Sequence, residues 1–440
     1  MPEALRLGVA GVGTVGASLV RLFERHGNEL AVRAGRPLAI TAISTRDRTR
    51  NRGVDLSGMR WFEDPTALAR DPDTDVFVEL IGGEEGPARA AVFAAIESGK
   101  HVVTANKALL AAHGNELARA VEAAGVSLNF EAAAAGGIPV IKTLREALAG
   151  NTVSRIYGIL NGTCNYILSR MESEPVSFDD CLADAQRLGY AEADPTFDIE
   201  GYDAAHKLAL LTSIAFGSEI DKSSIYVEGI TSVTQADIAA ADELGYRIRL
   251  LGVASRTESG IEQRVHLAMV PKSSMIARVE GVTNAVAIEA DFVGGLVLTG
   301  PGAGGDATAS SVASDILDLA RGDRVGTLGR PASSLEPYRR AAMRRHEGGY
   351  YVRLSVYDRP GAFAAIAARM AEAGISLESI VQRSRRPRTS APDHAEPEAP
   401  QPVVMITYET TETAIRDALE AIGRDGHIAV APQMIRIERL

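Results

Sequence analysis

The sequence predicts an α/β protein of three parts: a doubly wound parallel sheet, an α+β middle domain and a small C-terminal unit. Three observations support this fold class. The 440 residues exceed what one hydrophobic core usually holds. Strand-like and helix-like segments alternate over the first 130 residues, which is typical of a parallel sheet. From residue 349 onward, two amphipathic helical patterns lie among strand-like runs.

The composition excludes several classes of protein. Fifty-seven acidic residues outnumber 46 basic ones, giving a net charge of −11 without a basic stripe, so we expect no nucleic-acid partner. No apolar stretch has the length of a membrane span and no secretory signal is visible, so we expect a cytoplasmic protein without a membrane partner. Two cysteines, Cys164 and Cys181, are too few for a disulfide framework.

A glycine turn follows the first predicted strand, Leu5–Val9, and precedes a predicted helix that begins at Ala17. The turn consists of Gly11, Val12, Gly13, Thr14, Val15 and Gly16. Strand, GxGxxG turn and helix in this order are typical of the Rossmann fold, in which the helix N-terminus receives a pyrophosphate. The spacing therefore predicts an NAD(P)-binding domain over residues 1–130.

The loop after the second predicted strand bears on the choice between NADP and NAD. An acid there favours the free ribose of NAD, whereas an arginine accommodates the 2′-phosphate of NADP. Arg46 precedes Asp47, which favours NADP, although arginines that merely keep a loop solvated are an alternative. Lys107 follows a later strand at the expected mouth of the crevice, where it could serve cofactor or substrate.

The middle domain is predicted over residues 131–304. It begins with small residues, Glu131 to Pro139, whose free carbonyls beside one carboxylate could hold a hard cation, although a hinge is the better interpretation from the residues alone. A second glycine turn, residues 300–306, opens a helix, and residues 305–330 are expected to complete the first domain.

A charged run between residues 192 and 207 is the strongest candidate site. Its members are Glu192, Asp194, Asp198, Glu200, Asp203 and Lys207. Asp203 and Lys207 lie four residues apart and share a helix face, so they could hold one substrate and move a proton. An exposed ion pair is the alternative. We assign Asp194 and Asp198 to loop geometry, and expect Thr163 to meet a substrate oxygen.

The C-terminal unit is predicted over residues 349–440, after a linker at 331–348. Its order βαββαβ is ferredoxin-like. The segment 384–402 is rich in proline, has no apolar period and is expected to be an insertion within the unit.

With these parts in order, the chain resembles homoserine dehydrogenases of the longer bacterial type, which carry a C-terminal ACT domain. The resemblance covers essentially the whole chain. Its motifs are Gly189–Lys207, Thr104–Lys107, Gly158–Thr163 and Gly11–Gly13. The proline-rich insertion departs from the family pattern.

This resemblance implies reversible NAD(P)H-dependent reduction of L-aspartate 4-semialdehyde to L-homoserine, on the route to threonine, methionine and isoleucine. It implies that Lys207 donates the proton and that Lys107 lies between cofactor and substrate. The implied substrate-binding residues are Glu192, Asp203, Thr163 and Gly189. The implied sodium ligands are Glu131, Ala134, Gly136 and Ile138. Gly304 is expected to approach the cofactor.

The implied partners are an amino-acid effector, threonine, near Asp358–Gly361, and further copies of the chain in a homodimer or homotetramer. Two alternatives stay open. An acylating oxidoreductase similar to aspartate-semialdehyde dehydrogenase would need Cys164 as its nucleophile. A non-catalytic sensor of nucleotides and amino acids would leave Glu192, Asp203 and Lys207 without a role.

Overall fold

The computed structural model describes residues 3–341, 347–382 and 400–438. The strands of the first domain are β1 (Leu5–Ala10), β2 (Leu38–Ser44), β3 (Arg60–Phe62), β4 (Val76–Glu79), β5 (His101–Thr104) and β6 (Leu128–Asn129). They form one parallel sheet in the order β3-β2-β1-β4-β5-β6. The doubly wound sheet predicted from the sequence is confirmed.

The helices of this domain include one, the first, that begins earlier than predicted. They are α1 (Thr14–Ala34), α2 (Pro65–Ala69), α3 (Pro87–Glu97) and α4 (Lys107–Ala124). Thr14, Val15 and Gly16 thus form the first turn of α1 rather than a loop before it. Helix α4 begins at Lys107 because the side chain of Asn106 accepts a hydrogen bond from the backbone N–H of Leu109 at 3.1 Å.

The middle part contains a run of helices followed by a run of long strands. They are α5 (Glu131–Ala135), α6 (Val140–Lys142), β7 (Val153–Ile159), α7 (Gly162–Ser173), α8 (Phe178–Arg187), α9 (Thr196–Ile199), α10 (Tyr202–Phe216), β8 (Tyr226–Val227), α11 (Gln235–Glu243), β9 (Tyr246–Thr257), β10 (Gly260–Pro271), β11 (Thr283–Ala290), β12 (Gly294–Pro301) and α12 (Gly305–Arg321). Helix α12 returns to the first domain, where Val312 and Ile316 share a buried cluster with Val9 and Leu19.

The C-terminal unit has two helices against one face of its strands. The elements are β13 (Glu347–Val356), α13 (Ala362–Glu372), β14 (Leu377–Gln382), β15 (Gln401–Thr407), β16 (Thr410–Thr411), α14 (Glu412–Arg424) and β17 (Gln433–Ile437). Most of the predicted insertion, residues 384–399, lies outside the described residues. Its last two residues, 401 and 402, belong to β15 instead, where they pair with β13.

The sequence had suggested a separate C-terminal unit, but this unit shares a sheet with the middle part. Strand β17 pairs in parallel with β10, at Ala268–Arg436 and Met269–Ile437, so one sheet runs in the order β12-β11-β7-β9-β10-β17-β13-β15-β14. The predicted linker is also shorter, because Arg340 already bridges to Ile261 and β13 begins at Glu347.

Buried ion pairs reinforce the junction between β17 and the middle part. Glu438 forms ion pairs with Arg155 at 2.6 Å and with Arg264 at 2.8 Å, and all three side chains are largely buried. Asp237, which caps α11, receives a bidentate contact from Arg353 at 2.6 and 3.0 Å. Among the described residues, no helix is both long and apolar enough to cross a membrane.

We expect Glu438→Gln to lower the free energy of unfolding by about 3–5 kcal/mol, because it removes the charge of an acid that two largely buried guanidinium groups share. Urea denaturation measures this loss. Glu29→Gln is the matched control, since it removes an exposed pair with Arg33 whose side chains are 59% and 64% exposed. That control should cost at most about 0.5 kcal/mol, and equal losses for the two variants would contradict the prediction.

Candidate active site

A cavity of about 650 Å³ lies between the first domain and the middle part. The first domain contributes Val15 and two segments at the ends of β4 and β5, residues 80–82 and 105–107. The middle part contributes the turn before α7, the loop at 188–190, two residues of α10, and residues 301–304. The cavity thus opens beyond the carboxyl ends of the parallel strands, where ligands bind in such sheets.

The three glycines of the first turn meet different steric constraints. Gly11 has φ +101°, and a Cβ there would lie 2.5 Å from the carbonyl oxygen of Leu80. A Cβ on Gly16 would lie 2.2 Å from the carbonyl oxygen of Gly11, whereas Gly13 has no neighbour within 4 Å of that position. Gly13 is also the N-cap of α1, whose first turn carries no acid. Open backbone at a positive helix end suits a pyrophosphate.

The second glycine turn lies beside the first. Gly304 lines the cavity with φ +108° and is the N-cap of α12. A Cβ on the next residue, Gly305, would come within 2.6 Å of Ser18 Oγ on α1. This close contact brings the N-terminal ends of two helices to the same side of the cavity.

The loop after β2 is fixed by a residue that the sequence analysis missed. Arg52 Nε donates to the carbonyl oxygen of Val12 at 2.9 Å, and its Nη2 donates to that of Asp47 at 2.6 Å. The Asp47 side chain accepts from the backbone of Thr49 at 2.8 Å. Arg46 is exposed within this fixed loop.

Asp203 lies between two lysines in the first turn of α10. Its Oδ1 is 3.0 Å from Lys107 Nζ, and its Oδ2 is 2.8 Å from Lys207 Nζ. Burial alone would raise the pKa of the Asp203 carboxyl, but Lys207 and Lys107 together hold that pKa well below its usual range. The Asp203 carboxylate in turn raises the pKa of Lys107. The predicted pairing of Asp203 with Lys207 is therefore present, and Lys107 completes a triad.

A chain of hydrogen bonds positions Lys107 at the start of α4. The buried carboxylate of Glu79 accepts from Thr104 Oγ1 at 2.6 Å, and Thr104 Oγ1 accepts from the backbone N–H of Asn106 at 3.0 Å. Asn106 also donates to the carbonyl oxygen of Gly83 at 2.7 Å. These bonds join the ends of β4 and β5 directly before Lys107.

Asn161, which the sequence analysis did not name, connects two acids of the charged run. Asn161 Nδ2 donates to Asp198 Oδ1 and to Asp203 Oδ2, each at 2.8 Å. Asp198, assigned from the sequence to loop geometry, lines the cavity, and burial followed by the nearby Asp203 charge raises its pKa. An asparagine between a strand and a helix is a common N-cap, and that signal could have identified Asn161.

Of the other predicted substrate residues, two line the cavity and one does not. Thr163 lines the cavity, and its hydroxyl donates to the carbonyl oxygen of Tyr190 at 2.7 Å. Gly189 also lines the cavity, with φ +77°. Glu192 is exposed and is not among the cavity-lining residues, although its charge contributes to the raised pKa of Lys107.

Cys164 is unsuited to act as a nucleophile. It is fully buried, and its Sγ donates to the carbonyl oxygen of Asp198 at 3.2 Å. Burial, followed by the charges of Asp198 and Asp203, raises the pKa of the thiol well above its ordinary value. A reactive cysteine needs the opposite shift.

One residue predicted to hold sodium, Glu131, lies beside a second buried acid, Asp315. Glu131 accepts from the backbone N–H groups of Ile141 and Lys142, each at 2.8 Å, and its own N–H donates to Asp315. Burial, together with the Glu131 charge, raises the pKa of Asp315 to about 8. Asp315 Oδ1 is buried without a hydrogen-bond partner among the described residues. Glu131 to Ala135 form a helix rather than the predicted flexible stretch.

The carbonyl oxygens of two other predicted sodium ligands already accept hydrogen bonds. That of Gly136 accepts from Ser311 Oγ at 2.7 Å, and that of Ile138 accepts from the N–H of Val140 at 2.8 Å. Ala134 lies within α5. A carbonyl oxygen has two lone pairs, so these bonds leave room for a cation. The unpartnered acid oxygen nearby is a feature that a cation would compensate.

Comparison with known proteins agrees with this geometry. Residues 11–131 match the family model for the NAD binding domain of homoserine dehydrogenase, residues 139–317 match that for homoserine dehydrogenase, and residues 350–424 match that for the ACT domain. The homoserine dehydrogenase of Pseudomonas aeruginosa is 43% identical, with both chains covered completely.

Solved structures show the same likeness. A homoserine dehydrogenase from Thiobacillus denitrificans is 41% identical with a TM-score of 0.91, covering 99% of this chain and 98% of that one. A hyperthermophilic archaeal homoserine dehydrogenase in complex with NADPH is 25% identical with a TM-score of 0.63, covering 74% of this chain and all of that one. The chain therefore belongs to the homoserine dehydrogenase family of NAD(P)-dependent oxidoreductases.

Proposed function

We propose that the chain reversibly reduces L-aspartate 4-semialdehyde to L-homoserine in the synthesis of threonine, methionine and isoleucine. One observation carries this proposal: Asp203 lies between Lys107 and Lys207 in a cavity that also borders both glycine turns. Cationic groups of this kind beside a dinucleotide site suit a reaction that creates negative charge on a carbonyl oxygen.

The two glycine turns would hold a nicotinamide cofactor, which would supply the hydride for the aldehyde carbon, while the chain's own residues would supply the proton for the carbonyl oxygen. Lys207 Nζ already donates to Asp203 Oδ2 and to the carbonyl oxygen of Leu160, each at 2.8 Å. An ammonium group has three donors, so one remains for the substrate oxygen as its charge develops. Lys107, with its raised pKa, stays protonated and stabilises the same charge.

The amino-acid end of the substrate offers an ammonium and a carboxylate. Asp203 is already contacted by two lysines and Asn161, so Asp198 is the acid best placed to receive the ammonium. The N-terminus of α7, at Gly162 and Thr163, suits the carboxylate. This assignment moves one substrate contact from Glu192 to Asp198.

We further propose a preference for NADP over NAD. Arg46 is exposed in the loop that follows β2, and Arg52 ties that loop to the glycine turn. An arginine at this position can pair with the 2′-phosphate that NAD lacks. The archaeal relative described in complex with NADPH supports this choice.

A sodium ion held by Glu131, Ala134, Gly136 and Ile138 is a further part of the proposal. The ion would offset the charge of the buried acids Glu131 and Asp315, because burial raises the pKa of both and the Glu131 charge raises that of Asp315 further. We give it a structural role only.

The ACT unit supports regulation by an amino acid, and we propose threonine. Asp358 to Gly361 form an exposed turn at the start of α13, where an acid and a helix N-terminus could bind the ammonium and carboxylate of the effector. Self-association into a homodimer or homotetramer is supported by the open sheet edge at β12, beside which Phe292 is 89% exposed and Val293 52% exposed.

We expect Lys207→Met to lower kcat for NADPH-dependent reduction of aspartate semialdehyde by roughly 10²–10⁴-fold, because the proton donor is lost. Absorbance of NADPH measures the rate, and the same assay with NADH tests the cofactor preference. Cys164→Ser is the control and should leave turnover nearly unchanged. A Cys164→Ser enzyme without activity would instead favour the acylating alternative.

We expect Asp203→Asn to move the basic limb of the kcat–pH profile to lower pH. Asp203 raises the pKa of Lys107, so removing its charge lowers that pKa and the cation is lost at lower pH. Steady-state kinetics across pH measure the shift. Asp194→Asn, on an exposed loop, should leave the limb in place, and a common shift in both variants would argue against the assigned roles.

We expect threonine to inhibit the full-length enzyme, and Asp358→Asn to raise the half-inhibiting concentration roughly tenfold, which corresponds to about 1.4 kcal/mol of binding. Asp417→Asn, exposed on α14, is the matched control. The full chain is required because deleting the ACT unit would remove Glu438 and Arg353, which form ion pairs with Arg155, Arg264 and Asp237 of the middle part. Inhibition that is equal in both variants would place the effector elsewhere.

A further inference from the structure

One buried amide connects the two acids of the active site to the helix that faces them. Asn161 is 5% exposed and lies between β7 and α7. Its Nδ2 donates to Asp198 and Asp203 at 2.8 Å each, and its Oδ1 accepts from the backbone N–H of Cys164 at 2.8 Å. Every polar atom of the side chain is therefore in use.

This arrangement separates two acids that would otherwise repel each other. Both acids line the cavity, but Asp203 is paired with Lys107 and Lys207, whereas Asp198 Oδ1 accepts from Asn161. With both carboxylates ionised, the amide supplies the N–H donors that lie between them. A carboxylate or hydroxyl of similar size could not donate to both acids and accept from α7 at once.

We propose that Asn161 is a positioning residue for the reaction: its amide holds Asp203 against the two lysines and directs Asp198 toward the substrate's ammonium group. The inference rests on the proposed function, since it assigns Asp198 to substrate binding. Asn161 acts through these acids and needs no contact with the reacting atoms.

Because of its position, the loss of Asn161 should change both the pH dependence of the reaction and the kinetic constants. The groups that act on Asp198 are Asp203, Lys207, Lys107 and the Cys164 thiol, besides Asn161 itself. The bond from Asn161 lowers the pKa of Asp198, so its removal raises that pKa further. As the pH falls, Asp198 is then protonated sooner, so substrate binding is lost at a higher pH than in the wild-type enzyme. The loss of Asp203 alignment lowers kcat as well, so KM and kcat both change.

The test compares Asn161→Ser with the wild-type enzyme. Serine is a good N-cap and keeps an acceptor for α7, but it is too short to bridge two carboxylates. We expect kcat/KM to fall at least about tenfold, the equivalent of one lost bond to a charged group, and its acid limb to move to higher pH. An unchanged acid limb and kcat/KM would overturn the proposal.

Two further variants separate positioning from helix stability. Ser177→Ala removes the exposed cap of α8, where Ser177 Oγ accepts from the N–H of Asp180 at 3.1 Å, so it should lower the melting temperature but leave the pH profile unchanged. Asn161→Asp keeps the shape and the cap and serves if Asn161→Ser does not fold. It should also lose kcat/KM at neutral pH, and full activity there would overturn the proposal. A wild-type enzyme without activity would refute the proposed function itself.

Discussion

The buried carboxylate of Asp203 is the constraint on which the rest of the site depends. A carboxylate without water needs cations and donors, and here they come from different parts of the chain. Lys207 lies one helical turn further along α10, Lys107 begins α4 of the first domain, and Asn161 ends the turn after β7. Satisfying one acid therefore fixes the first domain against the middle part and forms the cavity between them.

Local patterns explain what the sequence could predict. The glycine turn, the following helix and the parallel sheet depend on neighbouring residues, so their order alone indicated a nucleotide-binding domain. Asp203 and Lys207 share one helix face because of their spacing, and that pairing is present at 2.8 Å. Gly304, which was predicted from its glycine turn to approach the cofactor, lines the cavity.

Contacts between distant residues explain what the sequence could not predict. Arg249 on β9 is an arginine that is fully buried, because it pairs with Glu172 at 3.0 Å. Asp198 was assigned to loop geometry from the sequence, yet it accepts a hydrogen bond from Asn161, 37 residues earlier, and lines the cavity. Glu192, adjacent in sequence to the cavity loop, is exposed instead. Each case depends on a partner that local spacing does not reveal.

The junction with the ACT unit limits how an effector signal can travel. Breaking the pairs of Glu438 would leave buried charges at a cost of roughly 3–5 kcal/mol, whereas allosteric coupling typically supplies about 1–3 kcal/mol. A bound effector would therefore move Arg155 with Glu438 rather than separate them. Arg155 lies on β7, and the strand is followed directly by Leu160, whose carbonyl oxygen holds Lys207 at 2.8 Å. A displacement of β17 would therefore reach Lys207 through one strand.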